Sequence, residues 1–182
     1  MEHEPIIENN ENFINGLEYF KTHRDALIAG AKFTEPNGVS YRPVPFKVSC
    51  LLLAEKPGLQ PGEYAMYNTY NFKPIQREEH GSKKRCAERN AIEGAINNGC
   101  RKIIGLVTYS KQKTTGDENK SDRVLHCCKD CRLFIKELIH KGLMEKDSLI
   151  CNAGPADAEN PEGGDVYEER TAAELLSLYN EN

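Results

Sequence analysis

Two short stretches, Cys86-Ala87-Glu88 and Cys128-Lys129-Asp130-Cys131, offer three thiols and one carboxylate at spacings suited to a metal ion. A structural zinc closes its tetrahedron with four protein ligands, whereas a catalytic one takes three and leaves the fourth position to water. Three cysteines with a nearby glutamate fit the second pattern. In a C-x-x-C at a helix start both sulfurs can face one ion, and the free N–H groups and dipole there favour thiolate. Cys86 and Glu88 are two residues apart, which in a regular helix would point them nearly opposite ways. Cys86 is therefore expected at the helix cap, outside regular geometry. The competing arrangement is a closed structural site that recruits Cys100 and leaves Glu88 on a solvated face. Closed sites draw on two compact ligand pairs, and Cys86 with Cys100 does not make one.

At these residues the chain resembles the cytidine deaminase superfamily, whose signature pairs [H/C]-x-E with P-C-x-x-C and has a three-cysteine variant. Carried over by position, the resemblance implies Zn2+ held by Cys86, Cys128 and Cys131, with Glu88 shuttling protons between a zinc-activated water and the substrate. The phrase Cys86-Ala87-Glu88-Arg89-Asn90-Ala91-Ile92 is similar to the nucleoside-deaminase form. Arg89 matches the arginine that donates hydrogen bonds to the thiolates in three-cysteine members. Cys127 stands where the family has proline. Phe46-Lys47-Val48-Ser49-Cys50 is similar to the family's F-x-V-G-A strand, and Asn68-Thr69-Tyr70-Asn71 falls where cytidine deaminases carry N-x-E-N. The implied substrate contacts are Phe46, Asn68, Tyr70 and Ala87. Tyr70 replaces a carboxylate with a neutral phenol, and blasticidin deaminases have an N-x-Y here followed by an aromatic, as in Tyr70-Asn71-Phe72.

What the resemblance implies is a zinc-dependent hydrolase acting on a cyclic amidine C–N bond. It would convert a cytosine nucleoside or related aminopyrimidine to the uracil form with release of ammonia. A blasticidin-type substrate, a nucleic-acid cytosine and a non-catalytic zinc-binding relative are the alternatives. Three-cysteine members are usually homotetramers, so the same assembly is implied.

The elements that must position these residues follow from pattern. Apolar residues recur at helical spacing over 12–32, with a break near His23. Strands are expected at 46–53 and 63–72, joined through Pro57-Gly58 and Pro61-Gly62. A helix with the small-residue stripe Ala87, Ala91, Ala95 is stopped by Asn98-Gly99. A third strand covers 102–109. On the helix from Cys128 the residues Cys128, Cys131, Ile135 and Leu138 form one buried stripe, and a fourth strand covers 147–152. Prolines and glycines in 154–164 exclude a crossover helix, so a fifth strand at 165–169 should return antiparallel to the fourth. Thr171 and Glu174 form a capping box for a last helix. The expected fold is an α/β, α-β-α sandwich of the cytidine deaminase type, with a five-stranded mixed sheet whose last two strands are antiparallel.

At 182 residues the chain suits one domain, expected at 12–182 behind a loose leader at 1–11. A net charge of −4 argues against a general nucleic-acid binder, although Lys83-Lys84-Arg85 offers either a phosphate contact or a solvated loop. No apolar run is long enough to span a membrane and no signal peptide is present, so a cytoplasmic protein is expected. Seven cysteines then read as metal ligands and buried thiols rather than a disulfide framework. Cys50 and Cys151 are expected in the core, while Cys100, Cys127 and the loop residue His126 have no assigned place.

Overall fold

The computed structural model describes residues 10–39, 47–72, 86–112 and 119–182. Helix α1 (Asn10–Thr22) and helix α2 (Arg24–Thr34) are separated at His23, whose ring stacks on Tyr19 and bonds its carbonyl at 2.8 Å. Phe13, Phe20, Leu27, Ile28 and Ala31 are buried, which is the apolar stripe expected of the pair.

The strands are β1 (Ser49–Glu55), β2 (Ala65–Tyr70), β3 (Lys102–Tyr109), β4 (Met144–Pro155) and β5 (Asp165–Thr171). They form one five-stranded sheet in the order β2-β1-β3-β4-β5, parallel only between β3 and β4. The chain turns from β4 to β5 through 156–164, and Ala156 N–H bonds Gly164 O at 2.9 Å across it. The last two strands are thus antiparallel, as the prolines and glycines of that segment require.

Helices α3 (Ala87–Asn97), α4 (Lys129–His140) and α5 (Ala172–Leu178) cover the other face. Because strand side chains alternate, Leu51 and Leu53 point to the α1 and α2 side, whereas Cys50, Leu52 and Ala54 point to α3. Strand β1 is therefore apolar at both phases, the pattern of a strand buried on both faces. Each large side chain removed from water, such as Leu52, Leu106 or Ile150, contributes roughly 1.5–3 kcal/mol. Gly105 lets Phe20 lie against the sheet, since a Cβ there would sit 2.7 Å from its ring and 2.9 Å from Leu149 O.

Boundaries differ from expectation at several places. Helix α1 starts at Asn10, ahead of the boundary expected at 12. Strand β1 starts at Ser49 and continues to Glu55, because Ala54 and Glu55 find partners on β3 past a bulge. Strand β4 runs from Met144 to Pro155 because Met144 pairs with Ile103 and Gly154 and Pro155 pair with β5. Helix α5 opens on the full capping box, with Glu174 N bonded to Thr171 Oγ1 at 3.1 Å. No helix among the described residues is long and apolar enough to cross a membrane.

Candidate active site

Two helices open on cysteine. Cys86 is the N-cap of α3 with extended backbone (φ −64, ψ 149), and its carbonyl accepts the first helical bond from Asn90 N–H at 3.0 Å. Cys128 caps α4 in the same way (φ −66, ψ 165), with Arg132 N–H on its carbonyl at 2.9 Å. An N-cap side chain lies off the helical spiral, which is how Cys86 and Glu88 come to share one site. Cys131, in the first turn of α4, completes the group.

The three sulfurs all lie within 4.8 Å of one another, Cys86 and Cys128 at 3.5 Å. Ligands of one tetrahedral zinc with Zn–S of about 2.3 Å stand about 3.8 Å apart, so the spacing suits three corners of a tetrahedron. Soft thiolate donors select zinc over magnesium or calcium. Without an ion the sulfurs share one charge. Hydrogen bonds from Cys131 and Cys86, together with the Cys131 and Asp130 backbone N–H groups, hold Cys128 ionised with a pKa of about 2. The same bonds to Cys128 push the Cys86 and Cys131 thiols up.

Glu88 is buried beside them, its Oε2 3.8 Å from Cys131 Sγ. Burial, and then the Cys128 charge, raise its carboxyl from 4.5 to about 7. Cys50 and Cys127 are pushed well up by burial and then by facing Glu88. Below Cys127 lies Asn152, buried, whose Oδ1 accepts from Thr108 Oγ1 at 2.8 Å and from Cys127 Sγ at 3.8 Å. Sequence reasoning missed Asn152, although an amide inside the apolar run Ile150-Cys151-Asn152-Ala153 is a signal, since a buried amide needs partners.

The remaining expected site residues are distributed as follows. Ala87 is buried at the first position of α3. Arg89 holds its guanidinium over the Phe134 ring at 4.6 Å and, among the described residues, makes no hydrogen bond to a cysteine sulfur. Asn68 and Tyr70 pair with Leu51 and Ser49, on the sheet face covered by α2. There the Asn68 amide donates to Gly30 O at 2.9 Å. The Tyr70 ring is partly exposed against Phe72, and its carbonyl accepts from Asn90 Nδ2 at 2.9 Å. Thr69, paired with Cys50, lies with Ala65 and Tyr67 on the face toward α3. Phe46 and the triplet Lys83, Lys84, Arg85 lie outside the described residues, as do 73–85 and 113–118 of the two long loops. Cys100 stands apart from the triad, buried against the Tyr67 hydroxyl at 3.8 Å. Cys151 is buried on the α1 and α2 side. His126 is buried and bonded at both ring nitrogens.

No protein-family model and no curated protein matches the sequence. Among solved structures, a cytidine deaminase from Burkholderia pseudomallei superposes with a TM-score of 0.55 at 18% identity, covering 84% of this chain and 94% of its own. A cytidine deaminase from Mycobacterium leprae covers 84% of this chain and 96% of its own at 16% identity, with a TM-score of 0.47. The first of these, set beside the strand order and the parallel β3–β4 pair, identifies the architecture: the chain has the cytidine deaminase fold.

Proposed function

We propose that the protein is a zinc-dependent hydrolytic deaminase that converts a cytosine nucleoside or related aminopyrimidine to its uracil form and releases ammonia. The observation that carries this reading is the convergence of three cysteine sulfurs from two helix starts on a buried carboxyl, Glu88. Cys86, Cys128 and Cys131 would hold the ion. Bound there, zinc supplies Lewis acidity that brings the ionisation of water near neutral pH. Two helix N-termini, and Arg89 from α3, would offset the negative charge of three thiolates.

Glu88 would act as both base and acid. Burial raises the pKa of the Glu88 carboxyl, and a carboxyl brought toward neutrality accepts and returns a proton at low cost. It would take one proton from the attacking water and pass it to the ring nitrogen, then take the second from the hydroxyl of the adduct and deliver it to the leaving amine. The water oxygen bonds to the amine-bearing carbon, the carbon–nitrogen bond to the exocyclic amine breaks, and ammonia carries the electron pair away. Burial of Glu88 near Cys50 and Cys127 supports this role, because burial disfavours the carboxylate and raises its pKa.

Phe46 and Ala87 are proposed to contact the substrate, and Tyr70 through its exposed ring at the end of β2, in a domain spanning 12–182; Asn68, also a sequence-expected contact, gives its amide to Gly30 O on the α2 face, away from the cysteines. Ala87 is small enough for a planar base to approach the start of α3. Tyr70 brings a neutral phenol where a carboxylate would grip ribose hydroxyls, and charge-assisted hydrogen bonds are roughly twice as strong. Weak use of unmodified cytidine relative to a compound with a bulkier sugar is the expected consequence. A homotetramer is the assembly proposed, and light scattering that returns a 20.5 kDa monomer would remove it.

Ammonia release from cytidine, deoxycytidine, their phosphates, blasticidin and single-stranded DNA tests the proposal. Turnover of at least one compound by the wild type, lost in Glu88→Gln, supports it. No turnover on any member by zinc-loaded protein overturns the enzymatic reading in favour of a non-catalytic zinc protein.

A further inference from the structure

The turn 126–128 delivers Cys128 to the metal site, and it is held from a distant part of the chain. His126 N–H bonds Asn119 Oδ1 at 2.9 Å. The His126 side chain is fully buried between the Tyr179 hydroxyl at 2.8 Å and Glu168 Oε1 at 2.9 Å. Glu168 is kept ionised by bonds from Ser121, His126 and Arg170 that outweigh its burial, so His126 Nε2 carries the hydrogen. With Nε2 donating to Glu168, Nδ1 accepts the Tyr179 O–H. The next carbonyl, that of Cys127, accepts from Arg132 Nη1 at 2.7 Å. Arg132 is 4% exposed. It donates two further bonds to Glu181, at 2.8 and 3.0 Å, and lies 3.6 Å over the Tyr179 ring.

Proline would limit the backbone before Cys128 by its ring; this chain has Cys127 there and surrounds the turn with polar partners instead. These bonds reach the backbone or ring of His126 and Cys127 directly, or through Arg132 and Glu168, and the residue that follows them is Cys128. Restricting that turn before an ion arrives removes an ordering cost from metal binding. We infer that Tyr179 and Glu181 are positioning residues of the metal site, acting through His126 and Arg132 on the turn that presents Cys128. This rests on the reading of the three cysteines as a metal site.

A comparable pair elsewhere shows what a structural tie alone would look like. Arg24 makes a two-pronged bond to Glu169, Nε at 2.8 Å and Nη2 to the other oxygen, and joins α2 to β5 without touching the cysteine turn.

The test is a titration of metal-free, full-length protein with Co2+ against a competing chelator, read by thiolate-to-cobalt charge-transfer absorption well below the melting temperature. Glu181→Gln is expected to weaken Co2+ binding by about 10- to 100-fold, the usual cost of losing a group that orients a ligand, while the saturated spectrum keeps its three-thiolate intensity. Tyr179→Phe is expected to weaken it in the same direction, and it decides the matter if Glu181→Gln does not fold. Glu169→Gln, which breaks the comparable pair, is expected to lower the melting temperature and leave Co2+ affinity unchanged. Affinities of Glu181→Gln and Tyr179→Phe within about twofold of wild type overturn the inference, as does an equal loss in Glu169→Gln, since orienting partners act locally. A wild type that takes up no Co2+ fails at the earlier step and removes the metal reading itself.

Discussion

Replacing Glu88 by glutamine is expected to stabilise the metal-free protein at alkaline pH while removing its proton carrier. The carboxyl is 6% exposed, and burial, then the Cys128 charge, raise its pKa from 4.5 to about 7. Unfolding returns it to the ordinary value. Between the two values the folded state holds a proton that the unfolded state has released. This contribution to stability is therefore complete below 4.5 and is lost as pH rises through about 7. At about 1.36 kcal/mol for each pH unit, the interval amounts to about 3 kcal/mol. Glutamine keeps the shape without the charge and escapes the loss. The variant should match wild type near pH 4 and exceed it by about 3 kcal/mol near pH 8, roughly 6–12 °C in Tm for a chain of this size. Urea and thermal unfolding of chelator-treated proteins across that range give the difference, in which titrating groups that do not interact with Glu88 cancel. A difference that does not change with pH refutes the burial argument for Glu88.

Zinc uptake by metal-free protein near pH 7 should release about two protons, because Cys128 is already ionised while its hydrogen bonds keep Cys86 and Cys131 protonated. Calorimetry in buffers of different ionisation enthalpy counts them, and a count of zero contradicts the shared-charge description. Glu168 is held down to about 2 because bonds from Ser121, His126 and Arg170 outweigh its burial. Its contribution is present above the unfolded value of 4.5 and lost as pH falls toward about 2. Glu168→Gln should therefore flatten the acid limb of the urea midpoint, and an unchanged limb sinks that assignment. Thr171→Ala deletes the capping oxygen of α5, and a loss of about 0.5–2 kcal/mol in urea unfolding is expected.

Where the sequence was legible, a local rule decided the structure. Lys102–Tyr109 is an apolar β-branched run bounded by turn residues, and it is β3 to the residue. Pro155, Pro161, Gly163 and Gly164 left no crossover helix, which fixed β5 as antiparallel. Thr171 and Glu174 capped a helix through neighbours three residues apart. The cysteine triad was legible for the same reason, since two N-caps and one first-turn residue obey helix geometry.

What was hidden depends on pairing between distant segments. Strand β4 extends past 147–152 only because Ile103 and β5 supply partners for its ends. The faces of Asn68, Thr69 and Tyr70 depend on the β1–β2 register, and a slip of one residue would exchange them. The polar group around His126 joins residues 42 to 53 apart in sequence, so nothing near His126 announced it. Asn152 reads as part of an apolar strand until Thr108 and Cys127 are seen beside it.

X-ray absorption at the zinc edge of the purified, zinc-loaded protein tests the central claim most directly. If Cys86, Cys128 and Cys131 form a three-ligand site with its fourth position open beside Glu88, the spectrum fits three sulfurs at about 2.3 Å and one oxygen or nitrogen near 2.0–2.2 Å. Cys128→Ala should lose one of those sulfurs or the ion itself. Four sulfurs would mean a closed structural site that has recruited another cysteine, and would contradict the account.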